Sequence, residues 1–102
     1  MIFGRKRFAE VIARQLGFFL EDDADLLQDV DDALEAYNRA DKVEAEELYG
    51  DYQLVIEAAT DRLAELRDTY ARTLDDDEQY VQEFNAEVVR RWPALSLTIE
   101  ES

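Results

Sequence analysis

The chain has 102 residues, enough for one hydrophobic core but too few for two independent ones, so we expect a single domain. It contains neither Cys nor His, which excludes disulfides, thiol nucleophiles, imidazole acid–base catalysis and zinc sites built on those ligands. Lys and Arg together number 11 and Asp and Glu 26, giving a net charge of -15. That charge repels phosphates, and we expect no nucleic-acid partner.

The composition favours an all-α fold. Hydrophobic residues make up 47% of the chain, enough for a core, whereas three Gly and one Pro are too few for the many turns of an all-β protein. No apolar run is long enough to span a bilayer, since Glu10 and Arg14 interrupt the N-terminal one, so we expect a cytoplasmic protein. The expected architecture is an antiparallel helical bundle of about four helices with a short extended C-terminal tail over residues 93–102.

Two amphipathic helices are predicted in the first third of the chain. The first covers about residues 3–20, and Gly17 and the acidic run 21–23 are expected to end it. Because carboxylates stabilise a helix N-terminus, the same run predicts a second helix over about 23–38. The apolar seam of that second helix consists of Leu26, Leu27, Val30, Ala33, Leu34 and Tyr37.

A long third helix is predicted over about residues 41–74. Asp41 followed by Glu44 has the form of a capping box at its start. The apolar stripe keeps its phase across Gly50, so one continuous helix, kinked or straight, is expected. Its stripe consists of Ala45, Leu48, Tyr52, Val55, Ile56, Ala59, Leu63, Leu66, Tyr70 and Leu74. Such a helix would protrude from the bundle and so favours a homodimer.

A fourth helix is predicted over about residues 76–91. It follows an acidic run, which suits a helix start, and it carries Arg90 and Arg91 at its end, where cations suit the helix dipole. Pro93 is expected to stop it. Beyond Pro93 the apolar residues alternate with polar ones, a pattern typical of a short strand or an extended tail.

Charge is distributed unevenly along the chain. Residues 1–20 carry four cations and one carboxylate, a net charge of +3, so the rest of the chain carries -18. A basic amphipathic helix of this kind is able to lie on an anionic membrane surface. The interpretation we favour is that its apolar side joins the core while its cations face the acidic helices of the same domain.

One acidic pattern resembles a known family. Glu21-Asp22-x-x-Asp25 followed by Glu44-x-x-Glu47 is similar to the paired carboxylates with which all-α nucleotide pyrophosphohydrolases of the MazG type hold Mg²⁺. The resemblance implies Mg-dependent nucleotide hydrolysis as an alternative function, with these five residues as metal ligands. Solvated helix caps are the other interpretation of the same residues, and under it the chain has no cofactor, no metal and no catalytic residue.

The aromatic residues point to an interaction role. Tyr49, Tyr52 and Trp92 are predicted to lie at an interface, because Tyr and Trp bury a large area while keeping a polar contact. Tyr49 in particular projects off the stripe of the third helix. We therefore expect a non-enzymatic adaptor or regulatory module that binds a protein partner, acting as a homodimer. An acidic inhibitor that mimics DNA is a further alternative.

Overall fold

The computed structural model describes residues 7–95. Four helices make up this range: α1 (Ala9–Asp22), α2 (Ala24–Arg39), α3 (Lys42–Ala71) and α4 (Glu78–Arg91). No strand occurs within residues 7–95, so the predicted all-α fold of four helices is confirmed. Most of the predicted extended tail and the predicted start of the first helix lie outside the described residues.

The boundary between the first two helices differs from the prediction. α1 runs through Gly17 and ends at Asp22, so that Asp23 alone separates it from α2. A glycine inside a helix costs only about 1 kcal/mol relative to alanine. Burial of Ile12, Leu16 and Phe19 along α1 outweighs that cost. Two of the three carboxylates expected to open α2 therefore close α1 instead.

α3 begins as predicted, with a complete capping box. The backbone N–H of Glu44 donates to the Asp41 carboxylate at 2.9 Å, and the backbone N–H of Asp41 donates to the Glu44 carboxylate at 3.3 Å. The helix continues through Gly50 for 30 residues and ends at Ala71, three residues before the predicted end. α4 begins at Glu78, two residues later than predicted, because the acidic run before it forms the loop.

The hydrophobic core lies at one end of the molecule. Apart from Val30 of α2, its buried side chains come from α1, the second half of α3, α4 and the segment after α4. The buried hydrophobic residues are Ile12, Leu16, Phe19, Val30, Ala59, Leu63, Ala71, Tyr80, Val81, Phe84, Val88 and Leu95. α3 therefore contributes only its second half to the closed part of the domain.

α2 and residues 42–57 of α3 form a helical hairpin. At its base Asp23 pairs with Arg62, and at its tip Tyr37 packs against Tyr49 and Tyr52, which fixes the two helices as antiparallel. The described part of the molecule measures 51 × 29 × 26 Å, and α3, which is about 45 Å long and runs through both the hairpin and the core, accounts for the long dimension. The helix contacts are consistent with the predicted antiparallel bundle.

Polar groups inside the core are hydrogen-bonded. The Tyr80 hydroxyl donates to the Gln15 side chain at 2.7 Å, and burial raises the pKa of Tyr80 to about 12. Arg67 is only 4% exposed and donates to Asp68 at 2.8 Å and to Asn85 at 2.9 Å. These bonds join α3 to α4 and α4 to α1, so they hold the core helices in register.

Candidate interaction surface

The helical hairpin is poorly covered. Val30 is its one buried side chain within α2, whereas the remaining apolar residues of its seam are half-buried. The half-buried residues are Leu26, Leu27, Ala33, Leu34 and Tyr37 on α2, and Ala45, Leu48, Tyr52, Val55 and Ile56 on α3. Two helices cover each other along one line only, so apolar atoms remain on both open sides of the hairpin.

Three tyrosines meet at the tip of the hairpin, and we call them the tyrosine cluster: Tyr37, Tyr49 and Tyr52. The rings of Tyr37 and Tyr52 stack with centroids 5.2 Å apart and planes 14° apart. Tyr49 lies 6.0 Å from Tyr37 at a tilt of 48° and is 46% exposed. The cluster thus joins α2 to α3 while leaving much of one ring in solvent.

A cleft opens beside the tyrosine cluster. Its volume is about 410 Å³, and its walls are Tyr37, Lys42, Ala45, Glu46 and Tyr49. The walls therefore combine aromatic faces, a carboxylate and an ammonium group. Sites for small groups typically pair apolar walls with a few polar side chains in this way.

The hairpin carries most of the net charge of the chain. Residues 23–57 contain twelve carboxylates and two cations, a net charge of -10 out of -15. Within residues 7–95 only two of those carboxylates form ion pairs, Asp23 with Arg62 and Glu35 with Arg39. Because the other ten lie on an open two-helix element, the hairpin has a strong negative potential.

The side of α3 that faces away from the tyrosine cluster is also open. Val43 is 69% exposed and Leu54 is 66% exposed. They are eleven residues apart, about three helical turns, and so share one side of the helix. This side has isolated apolar residues among carboxylates but no aromatic ring. Substitutions here are therefore matched controls for substitutions in the tyrosine cluster.

The three residues predicted to form an interface do not lie together. Tyr49 and Tyr52 meet in the tyrosine cluster, but Trp92 is half-buried at the core, with its ring 5.6 Å from Phe19 in an edge-to-face contact. The sequence predicts Tyr37 only as part of the packing seam of α2. The short loop between α2 and α3 is the signal that places Tyr37 beside the start of α3.

The five carboxylates that resemble a MazG-type metal site are not brought together. Glu21, Asp22 and Asp25 lie at the base of the hairpin, whereas Glu44 and Glu47 lie near its tip. The 16 residues of α2 separate the two groups by about 24 Å. All five side chains are exposed, Glu44 serves in the capping box, and no group of three or more potential ligands occurs within residues 7–95.

A second cleft, of about 330 Å³, lies between α1 and α4, but its charged side chains already have partners within the protein. The Glu83 carboxylate accepts bonds from the backbone N–H groups of Arg7 and Phe8 at 3.1 and 2.9 Å. Hydrogen bonds from Arg90 and then Arg91 lower the pKa of Glu87 to about 2, against the opposing effect of burial. This cleft is a structural joint between the two helices.

α1 presents its apolar side to the core rather than to solvent. Ile12, Leu16 and Phe19, which a membrane-bound α1 would have to insert, are at most 2% exposed. Phe18 and Leu20 remain exposed on its other sides. Among residues 7–95 none of the helices combines the length and the hydropathy needed to cross a membrane.

Comparison of the chain with protein-family models, with curated proteins and with solved structures finds no match. Its function has to be inferred from the geometry of its own residues.

Proposed function

We propose that this protein is a non-enzymatic interaction module, an adaptor or regulator, whose helical hairpin docks a protein partner. The observation that carries the proposal is the tyrosine cluster on an acidic hairpin outside the core. Aromatic rings that are half-covered in the free molecule gain contact area at low entropic cost when a partner covers them.

The negative charge of the hairpin favours a partner of opposite charge. A homodimer formed through the hairpin would bring two segments of net charge -10 into contact, which opposes association at low and physiological salt. A basic protein surface would instead be attracted over distances of about 10 Å. The homodimer stays a prediction, and high salt is the condition that favours it.

The DNA-mimic alternative is a special case of the same proposal. Ten carboxylates of the hairpin lie outside ion pairs within the described range, and rows of carboxylates are able to occupy a cleft that otherwise binds phosphates. In that case double-stranded DNA would compete with this protein for the partner. Nucleotide hydrolysis gains no such support, because the carboxylates that resemble a MazG-type site lie at opposite ends of α2.

The proposal is tested by photo-crosslinking in the cells that make the protein. A benzophenone amino acid replaces Tyr49 at the tip, and in a matched control it replaces Phe18, which is 53% exposed on α1. We expect a discrete protein adduct from position 49 and none of the same mass from position 18. An adduct with a second copy identifies a homodimer. Absence of any adduct specific to position 49 would overturn the proposal.

A further inference from the structure

We propose that the tyrosine cluster and its cleft form a receptor for a cationic side chain, an arginine or lysine carried by a basic amphipathic helix of the partner. This inference rests on the proposed function and specifies the chemistry of its partner. The ring geometry of the cluster, the charges around the cleft and the apolar residues beside it support this assignment.

The tyrosine cluster leaves aromatic surface exposed to an incoming cation. Tyr52 covers one face of Tyr37 by stacking, and Tyr49 closes on the pair at an angle while remaining 46% exposed. Aromatic faces carry negative electrostatic potential and attract guanidinium and ammonium groups held within about 6 Å of the ring centre. Tyr49 is the ring of the cluster with the most free surface, so it is the principal contact for the incoming cation.

The charges near the cleft favour a cation over an anion. Glu46 forms part of the wall, and Asp41 lies next to Lys42 at the start of the same helix, on a hairpin whose net charge is -10 over residues 23–57. Lys42 is the opposing charge in the wall. Within residues 7–95 it makes no ion pair, so nothing holds its ammonium group over the rings. Removal of Lys42 should therefore raise the affinity for a cationic ligand. It should lower the affinity for an anionic ligand, because Lys42 is the one cation among the described residues of the wall.

The surroundings of the cleft explain why the partner would be amphipathic. Half-buried apolar side chains, among them Ala45, Tyr52 and Ile56, continue along α3 from the tip. A helix laid on this side covers them with its own apolar residues and places basic residues against the flanking carboxylates. Charge complementarity over residues 23–57 thus attracts the partner, and the tyrosine cluster fixes its register.

The experiment uses the full chain and two designed peptides. One is a helical peptide of about 18 residues built from Leu, Ala and Arg, long enough to form a helix on binding. The other replaces each Arg with citrulline, which keeps the shape of the side chain but has no charge. Affinities are measured by calorimetry at 150 mM salt or above, and circular dichroism checks that each variant is folded.

Four substitutions separate cation binding from general attraction to an acidic protein. We expect Tyr49→Leu to weaken the affinity for the Arg peptide by about tenfold. Tyr49→Phe should change that affinity by no more than about twofold, because the ring face is what binds the cation. Lys42→Gln should tighten binding by about threefold and Glu46→Gln should weaken it by a similar factor. Leu54→Ala, on the opposite side of α3, is the control with no change expected.

Four results would overturn the inference while leaving the proposed function intact. One is equal binding of the two peptides, which indicates an apolar site. Another is Arg-peptide binding that Tyr49→Leu does not change. A third is loss of binding in Lys42→Gln, which indicates an anion site. The fourth is a Tyr49-dependent homodimer in sedimentation velocity with no peptide bound. If neither peptide binds and position 49 yields no crosslink, the inference and the proposed function both fail.

Discussion

Arg62 donates a hydrogen bond from Nε to the Asp23 carboxylate at 3.1 Å, joining the middle of α3 to the one residue that separates α1 from α2. A second nitrogen of Arg62 bonds Glu65 at 2.6 Å, so that the guanidinium is held from two directions. These bonds raise the pKa of Arg62, the bond to Asp23 having the largest effect. The pair lies where the open hairpin meets the closed core and links the two.

Removing the Asp23 carboxylate should loosen that joint. We expect Asp23→Ala to lower the free energy of unfolding by about 1 kcal/mol, since the pair is partly exposed and such pairs contribute little more. Asp23→Asn keeps an acceptor for Arg62 and should lower the free energy of unfolding by less. Urea denaturation measures both, and equal losses for the two variants would show that Arg62 is not the reason for the effect.

The Arg67–Asn85 bond is expected to matter more, because it lies in the core. Asn85→Ala should lower the free energy of unfolding by about 2 kcal/mol, because it removes one acceptor from the buried Arg67 guanidinium. Hydrogen bonds to charged groups usually contribute about this much. Asn38→Ala, on the exposed surface of α2, is the matched control and should change stability by less than about 0.5 kcal/mol. Similar effects at the two positions, measured by thermal unfolding, would contradict a structural role for this bond.

The two helix-interior glycines are positions where stability can be gained. A Cβ added at Gly17 or Gly50 meets nothing within 4 Å. Alanine at either position should therefore stabilise the domain by about 0.5–1 kcal/mol, through lower entropy of the unfolded chain and better helix propensity. Thermal unfolding checks this, and a lower melting temperature for Gly17→Ala or Gly50→Ala would contradict it.

Acid stability should depend on Glu87. Its pKa is about 2 in the folded protein against an ordinary value of 4.5, so the stabilisation is fully present above pH 4.5 and is lost as the pH falls towards 2. In Glu87→Gln the free energy of unfolding should fall less steeply over that interval than in the wild-type protein. Glu57→Gln, at an exposed position of α3, is the control and should keep the wild-type slope. An unchanged slope in Glu87→Gln would contradict the assignment.

The positions of the helices follow from the sequence more directly than the packing of one helix against another does. The capping box at Asp41 and Glu44 is a local signal, and it placed the start of α3 correctly. The end of α1 differs from the prediction because the stretch that holds Gly17 and the acidic residues after it looks locally like a break, and burial of Ile12, Leu16 and Phe19 in the core overrides that signal. Local patterns report what each helix prefers, whereas the hydrogen bonds that join α4 to α1 and to the residues just before α1 link positions 65 to 76 apart.

The candidate site is predictable from the sequence only in part, for similar reasons. Tyr49 was identifiable because it lies off the apolar stripe, but Tyr37 lies within the seam of α2 and looks like an ordinary core residue. Trp92 was placed with them from residue type alone, and the fold puts it against Phe19 instead. Arg67 was not identifiable, since a charged residue is normally exposed and only its tertiary partners account for its burial.

α3 is one unbroken helix that begins at the open tip and ends in the closed core. Any fraying that starts at Lys42 therefore runs towards the residues that hold the core together. The partner proposed for the tip would oppose that fraying and would stabilise the folded state by mass action, by about 2.7 kcal/mol at a concentration 100 times its Kd. Through this linkage, the abundance of a partner in the cell would set how long each copy of the protein survives proteolysis.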